Sequence, residues 1–143
     1  MAKDTITFHF QHPTFKLRRR NEVRSWLHAA TRKEGREIAG IHYLFCTDEY
    51  MLENNQQFLS HDYLTDILTF PVASGRGIAG DILISVDRTR ENARTHGCPP
   101  TDELHRVMAH GVLHLLGYQD HTPEEKSIMR VREDQWLSQR IPT

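Results

Sequence analysis

Two histidines stand four residues apart in the stretch HGVLHLLGYQDHT, at His110 and His114, within an apolar run. On an α-helix, residues i and i+4 share a face one turn apart, so both imidazoles can aim at one point. The spacing is the H-x-x-x-H half of the helix motif found in zinc hydrolases. Gly117 reads as a helix stop, and Asp120 and His121 follow it closely. A chain that turns back there can deliver a third ligand. Two imidazole nitrogens with a carboxylate or a third imidazole suit a borderline cation such as Zn²⁺, one per chain. Three protein ligands leave a fourth position for water, which is the catalytic arrangement. Ten histidines in 143 residues make a chance pair common. The apolar setting, where an unpaired imidazole is costly, and the acid–histidine pair behind the stop weigh against chance.

Peptidases of this kind carry a glutamate directly after the first histidine as general base. Here that position is Gly111, so peptide hydrolysis is disfavoured. In a hydrolase, deprotonation must then come from metal-activated water or from a group elsewhere in the chain. Two acids inside β-runs are candidates for direct involvement, Asp66 in TDILTFP and Asp81 in GDILIS. The alternative role for each is a hydrogen bond that orders the adjoining turn.

These residues need elements to hold them. The segment DTITFHF alternates with Ile6, Phe8 and Phe10 on one face and reads as a strand. The segment from Lys16 to Gly35 has Leu17, Val23, Trp26, Leu27 and Ala30 at helical spacing, with Gly35 as its stop. EIAGIHYLFCT is a second strand, and DEYMLENNQQFLS a short helix behind Thr47 as N-cap. TDILTFPV and DILISV are the third and fourth strands, joined through the turn-rich SGRGIAG. From Asp87 the chain is helical, with one helix ended by Gly97 and Pro99-Pro100 and a second capped by Thr101 that carries both histidines. A last helix is announced by Thr122, Pro123 and the acids behind them. Strands come early and helices late, so the expected fold is α+β. A small, mostly four-stranded sheet is packed by about five helices, one of them a zincin-like metal-binding helix. Trp26 and Trp136 fall on apolar stripes and read as core.

Length and composition set the bounds. At 143 residues the chain is expected to be one domain, residues 1–143. Hydrophobic residues make up 38% and charged residues 26%, and the net charge is −1. No global basic signature of nucleic-acid binding exists, so an anionic partner must be met by a local patch or a metal. The run KLRRR (Lys16–Arg20) is one such patch, although a solvated helix start is the plainer reading. Cys46 and Cys98 form no C-x-x-C pair, which removes a cysteine zinc site and a disulfide scaffold. With no signal-like or membrane-spanning segment in the sequence, a cytoplasmic, membrane-free protein is expected.

Three segments together resemble the YbeY family of metal-dependent endoribonucleases. HGVLHLLGYQDH is similar to its signature H-G-x-L-H-L-x-G-Y-D-H, TDILTFP to its T-D-V-L-S-F-P strand, and GDILIS to its G-D-I-x-I-S strand. Asn55 falls where that family has an asparagine, and the motifs come in the family's order. The resemblance is close from Asn55 to the last helix and a matter of pattern before it. It implies a zinc-type nuclease that cuts single-stranded ribosomal RNA in late maturation and in quality control of the small ribosomal subunit.

Two departures stand out. The family's ligand spacing is H-x3-H-x5-H, and by that register the third position is Asp120, because Gln119 lengthens the loop by one residue. His121 has the family's residue type one place late. Register favours Asp120 and type favours His121. Leu59 stands where the resemblance implies a substrate-contacting arginine. His61, Arg76 and Arg88 are the candidates to replace it in binding RNA.

The sequence therefore supports metal-assisted hydrolysis of an RNA phosphodiester. The catalytic candidates are His110, His114, Asp66 and Asp81, and the metal candidates are His110, His114 and Asp120 or His121. Two other readings stay open: a metal hydrolase of another substrate, and a ribosome-assembly factor whose metal is structural and whose nuclease activity is weak.

Overall fold

The computed structural model describes residues 5–59 and 64–140. Four strands and five helices follow in the order β1 (Ile6–Phe10), α1 (Arg20–Lys33), β2 (Ile38–Cys46), α2 (Asp48–Leu59), β3 (Ile67–Pro71), β4 (Ile78–Ser85), α3 (Val86–His96), α4 (Pro100–Leu115) and α5 (Pro123–Ser138). They form the expected α+β fold around one mixed sheet of order β1-β2-β4-β3. β1, β2 and β4 run parallel, and β3 returns antiparallel against β4 at the edge. Pro71 ends the edge strand, where a missing amide donor costs no ladder bond.

Alternation along the strands splits the sheet into two unlike faces. One carries Ile6, Ile41, Tyr43, Phe45, Ile82 and Ile84. It is covered by the apolar stripes of α1 (Val23, Trp26, Leu27, Ala30), α4 (Leu104, Val107, Met108, Val112, Leu113) and α5 (Met129, Trp136). Trp26 and Trp136 are both core residues, and the Trp26 indole donates to the Trp136 carbonyl at 2.7 Å. The other face is apolar only where Cys46, Met51, Leu68 and Leu83 meet beneath α2.

Helix α4 lies close on the sheet because Gly111 has no side chain. A Cβ there would stand 2.9 Å from Ile82 Cδ1 and 3.1 Å from Ile67 Cδ1. The position a peptidase gives to glutamate is thus a packing contact. Gly80 does the same from β4, where a Cβ would meet the Phe70 carbonyl oxygen and a Leu115 methyl, each at 2.8 Å.

Two helix starts differ from expectation. α4 begins at Pro100 with the extended Pro99 as N-cap, not behind Thr101. Proline at the first helical turn forfeits only an amide that lacks an intrahelical partner anyway. α1 begins at Arg20 and not at Lys16, because Arg19 is left-handed (φ 57°). Leu17 is buried from the segment ahead of the helix. Thr47 and Thr122 cap α2 and α5 as read, accepting from Tyr50 N and Glu125 N.

Candidate active site and metal centre

The last two turns of α4 carry both histidines on the face turned away from the sheet. His110 Nε2 lies 3.0 Å from His114 Nε2, and Asp120 Oδ2 lies 3.3 Å from the first and 3.5 Å from the second. Ligand atoms about 2.0–2.1 Å from a tetrahedral ion sit about 3.3 Å from one another. The three side chains are therefore already spaced to hold one. Among the described residues they are the group with this property, and His121 is not part of it. Nitrogen and carboxylate oxygen donors fit a Zn²⁺-like cation.

Asp120 is placed by two helix ends. Gly117 (φ 108°) closes α4, with its amide donating to the His114 carbonyl and the Tyr118 amide to the Leu113 carbonyl. This is the Schellman arrangement. Five residues after Gly117, Thr122 and Glu125 form a capping box at the start of α5. The segment between these fixed points has room for Gln119 and Asp120, and Asp120 is the residue turned to the histidines. The side chain of His121 stays exposed at the rim, while its amide donates to Glu125 Oε1.

Behind the histidines lies a group that the spacing argument did not find. Glu133 of α5 is buried, and its Oε2 meets His110 Nδ1 at 2.6 Å. That bond fixes the ring so that Nε2 faces the site. Arg106 joins Glu133 Oε1 at 3.0 Å and Asp134 Oδ1 at 2.7 Å. The two histidines are pushed in opposite directions. Burial opposes charge on His110, but the bond to Glu133, with the charges of Glu133 and Asp120, outweighs it and raises the pKa. Burial and the charge of His110 lower that of His114. Met129, Glu133 and Trp136 are the buried positions of α5, so the signal for Glu133 was an acid on an apolar stripe.

The ligand group opens into a cleft of about 790 Å³ between α3, α4, α5 and the edge strand β3. Asn55 and Asp66 line it, as do Asn92, Glu103 and Arg130, which sequence reasoning had not singled out. Asp66 is held by its place ahead of β3, where its carbonyl accepts from Ser85 N at 2.9 Å and its carboxylate from Asn92 Nδ2 at 3.4 Å. Burial raises its pKa, with His110 pulling the other way.

The remaining candidates are not brought to this cleft. Asp81 is exposed on the sheet face opposite α4, the alternate of Ile82, and pairs in register with His42 and Phe70. Arg88 is committed to Asp48, with Nε 3.2 Å from both carboxylate oxygens, and so braces the starts of α2 and α3. Arg76 is exposed in the β3–β4 connection and does not line the cleft. The KLRRR run lies elsewhere too, beside α1. His61 lies outside the described residues.

A family model described as Endoribonuclease YbeY matches residues 5–140. The chain belongs to the endoribonuclease YbeY family. A relative of that name from Cytophaga hutchinsonii is 48% identical over 98% of this chain and 99% of its own. Another from Porphyromonas gingivalis is 42% identical over 96% and 89%. The solution structure of TM1509 from Thermotoga maritima shares the fold at a TM-score of 0.61, with 24% identity over 94% of this chain and 87% of that one. Membership of the YbeY family extends to the N-terminal third, where the sequence resemblance had been one of pattern only.

Proposed function

We propose that this chain is a metal-dependent endoribonuclease. The reading is carried by the convergence of His110, His114 and Asp120 at the floor of an open cleft, in a chain whose family relatives are named endoribonucleases. Among the described residues no helix is long and apolar enough to cross a membrane. We take the substrate to be single-stranded ribosomal RNA and the setting to be late maturation and quality control of the small subunit in the cytoplasm. One domain carries the activity. A strand with splayed bases enters such a cleft more readily than a duplex does.

When bound, a Zn²⁺-like ion would supply a Lewis acid for a phosphoryl oxygen and lower the pKa of water beside it. The chain's own residues do the rest. His110, His114 and Asp120 offer the three donors. Glu133 holds His110 in the tautomer with Nε2 free for the site, and Arg106 holds Glu133. Asp66, in the cleft and with its pKa raised by burial, is the group able to take or give a proton. Asp81, on the opposite face, has no such access.

The test is cleavage of end-labelled RNA by zinc-reconstituted protein, comparing a single strand, the matching duplex and a peptide panel, with His114→Ala alongside. Cleavage of the single strand alone, abolished in a folded His114→Ala, is the expected result. Peptide hydrolysis, or single-strand cleavage that persists in His114→Ala, would refute the assignment. A protein that unfolds when its metal is removed would point to a structural ion instead.

A further inference from the structure

The cleft poses an electrostatic problem for a polyanionic substrate. Four carboxylates line it, Asp66, Glu103, Asp120 and Glu133, against two guanidiniums, Arg106 and Arg130. Arg106 is spent on Glu133 and Asp134, and His96 faces Glu103 at 3.6 Å. A divalent ion would bring the fixed charge near balance but would leave nothing to grip a neighbouring phosphate. Arg130 is different. It is exposed on α5, lines the cleft, and among the described residues no carboxylate pairs with it.

Its placement follows from the helix. Arg130 precedes Glu133 by three residues, so the two share a face about 4.5 Å apart along the axis. Glu133 touches His110, which sets the Arg130 stem one helical turn from the residue that holds His110. Lys126, exposed one turn further back, extends the same face toward solvent. Arg76 and Arg88 lie away from this cleft, and Leu59 has no charge to offer.

We propose that Arg130 is the substrate-binding cation of this chain, gripping the RNA phosphate next to the one at the His110–His114–Asp120 group, with Lys126 continuing the track along α5. This rests on the nuclease reading above. A guanidinium suits the task because its planar fork can meet two phosphoryl oxygens at once.

The experiment measures binding and cleavage of one end-labelled single-stranded RNA across a salt series. It uses zinc-loaded wild type, Arg130→Gln, Arg130→Lys, Lys126→Gln and His114→Ala, with metal content and melting temperature recorded for each. Arg130→Gln is expected to weaken binding roughly tenfold and to reduce the slope of log K against log salt by about 0.7, the loss of one single-strand phosphate contact. The defect should fall on KM more than on kcat, with metal content and melting temperature as in wild type. Arg130→Lys should restore the slope, and Lys126→Gln should show a smaller loss of the same kind. If wild type cleaves the RNA but Arg130→Gln binds it with unchanged affinity and slope, this proposal fails and the nuclease reading stands. If wild type neither binds nor cleaves the RNA while His114 still holds metal, the nuclease reading fails and takes the proposal with it.

Discussion

At the scale of single residues, the candidate third ligand rests on register as well as on geometry. Counting from His114 selects Asp120 over His121, and Asp120 is the side chain that meets both imidazoles. Elemental analysis of purified variants gives the check. Asp120→Ala should lose most of about one equivalent of metal, and His121→Ala should keep it; the reverse pattern would show that the loop reorganises to bring in the histidine. Glu133→Gln should bind metal roughly 10- to 100-fold more weakly with the three donors intact, since it removes the acceptor that orients His110. Metal affinity equal to wild type would show that packing alone fixes the ring. The histidine pair was legible because its spacing is local. Glu133 and Arg106 were not, because the contact joins α4 to α5 across 23 residues of chain, and periodicity alone gives no reason why one acid on an apolar stripe should face a histidine. Asp81 makes a related point: an acid in a β-run marks a face, but sequence alone cannot say which face looks into the cleft.

At the scale of elements, nearly every segment was announced by its own chemistry. Alternation marked the strands, and Gly35, Gly97 and Gly117 marked helix ends, each with positive φ. Sheet order was not legible. β2 pairs β4 in parallel, a contact that joins strands separated by α2 and β3 and that no turn signal specifies. The junction between α4 and α5 is the element on which the site depends most. Its Schellman end and capping box leave Asp120 little freedom. Thr122→Ala removes the hydroxyl that accepts from Glu125 N and is expected to destabilise the fold by about 1 kcal/mol. Because the cap adjoins the ligand loop, metal affinity should fall with it, read by titration against a chelating dye. A lower melting temperature with unchanged metal affinity would show that the loop is held by Gly117 and the Tyr118–Glu34 bond alone.

At the scale of the whole molecule, one buried histidine away from the cleft should leave its mark on stability. His105 packs against the Trp26 ring at 5.4 Å, and its Nδ1 accepts from Arg140 Nη1 at 2.9 Å. Burial first, then the Arg140 charge, lower its pKa from 6.5 to about 4, with Asp102 opposing. A protonated ring could not accept that bond. In the unfolded chain His105 regains its ordinary pKa, so between about pH 6.5 and 4 the unfolded state binds a proton that the native state does not. Stability from this residue is therefore fully present above pH 6.5 and is lost as pH falls toward 4, by up to about 3 kcal/mol. Metal release in the same range would add to the effect. The comparison should therefore be made in excess chelator, between wild type and His105→Gln, by urea unfolding from pH 7.5 to 4.5. The variant keeps a neutral acceptor for Arg140 but has nothing to titrate at that position. Its profile should be flatter than that of wild type, with the two proteins drawing together at the acid end. Parallel profiles would mean that the groove around Arg140 and Asp102 admits water and that His105 titrates there without cost.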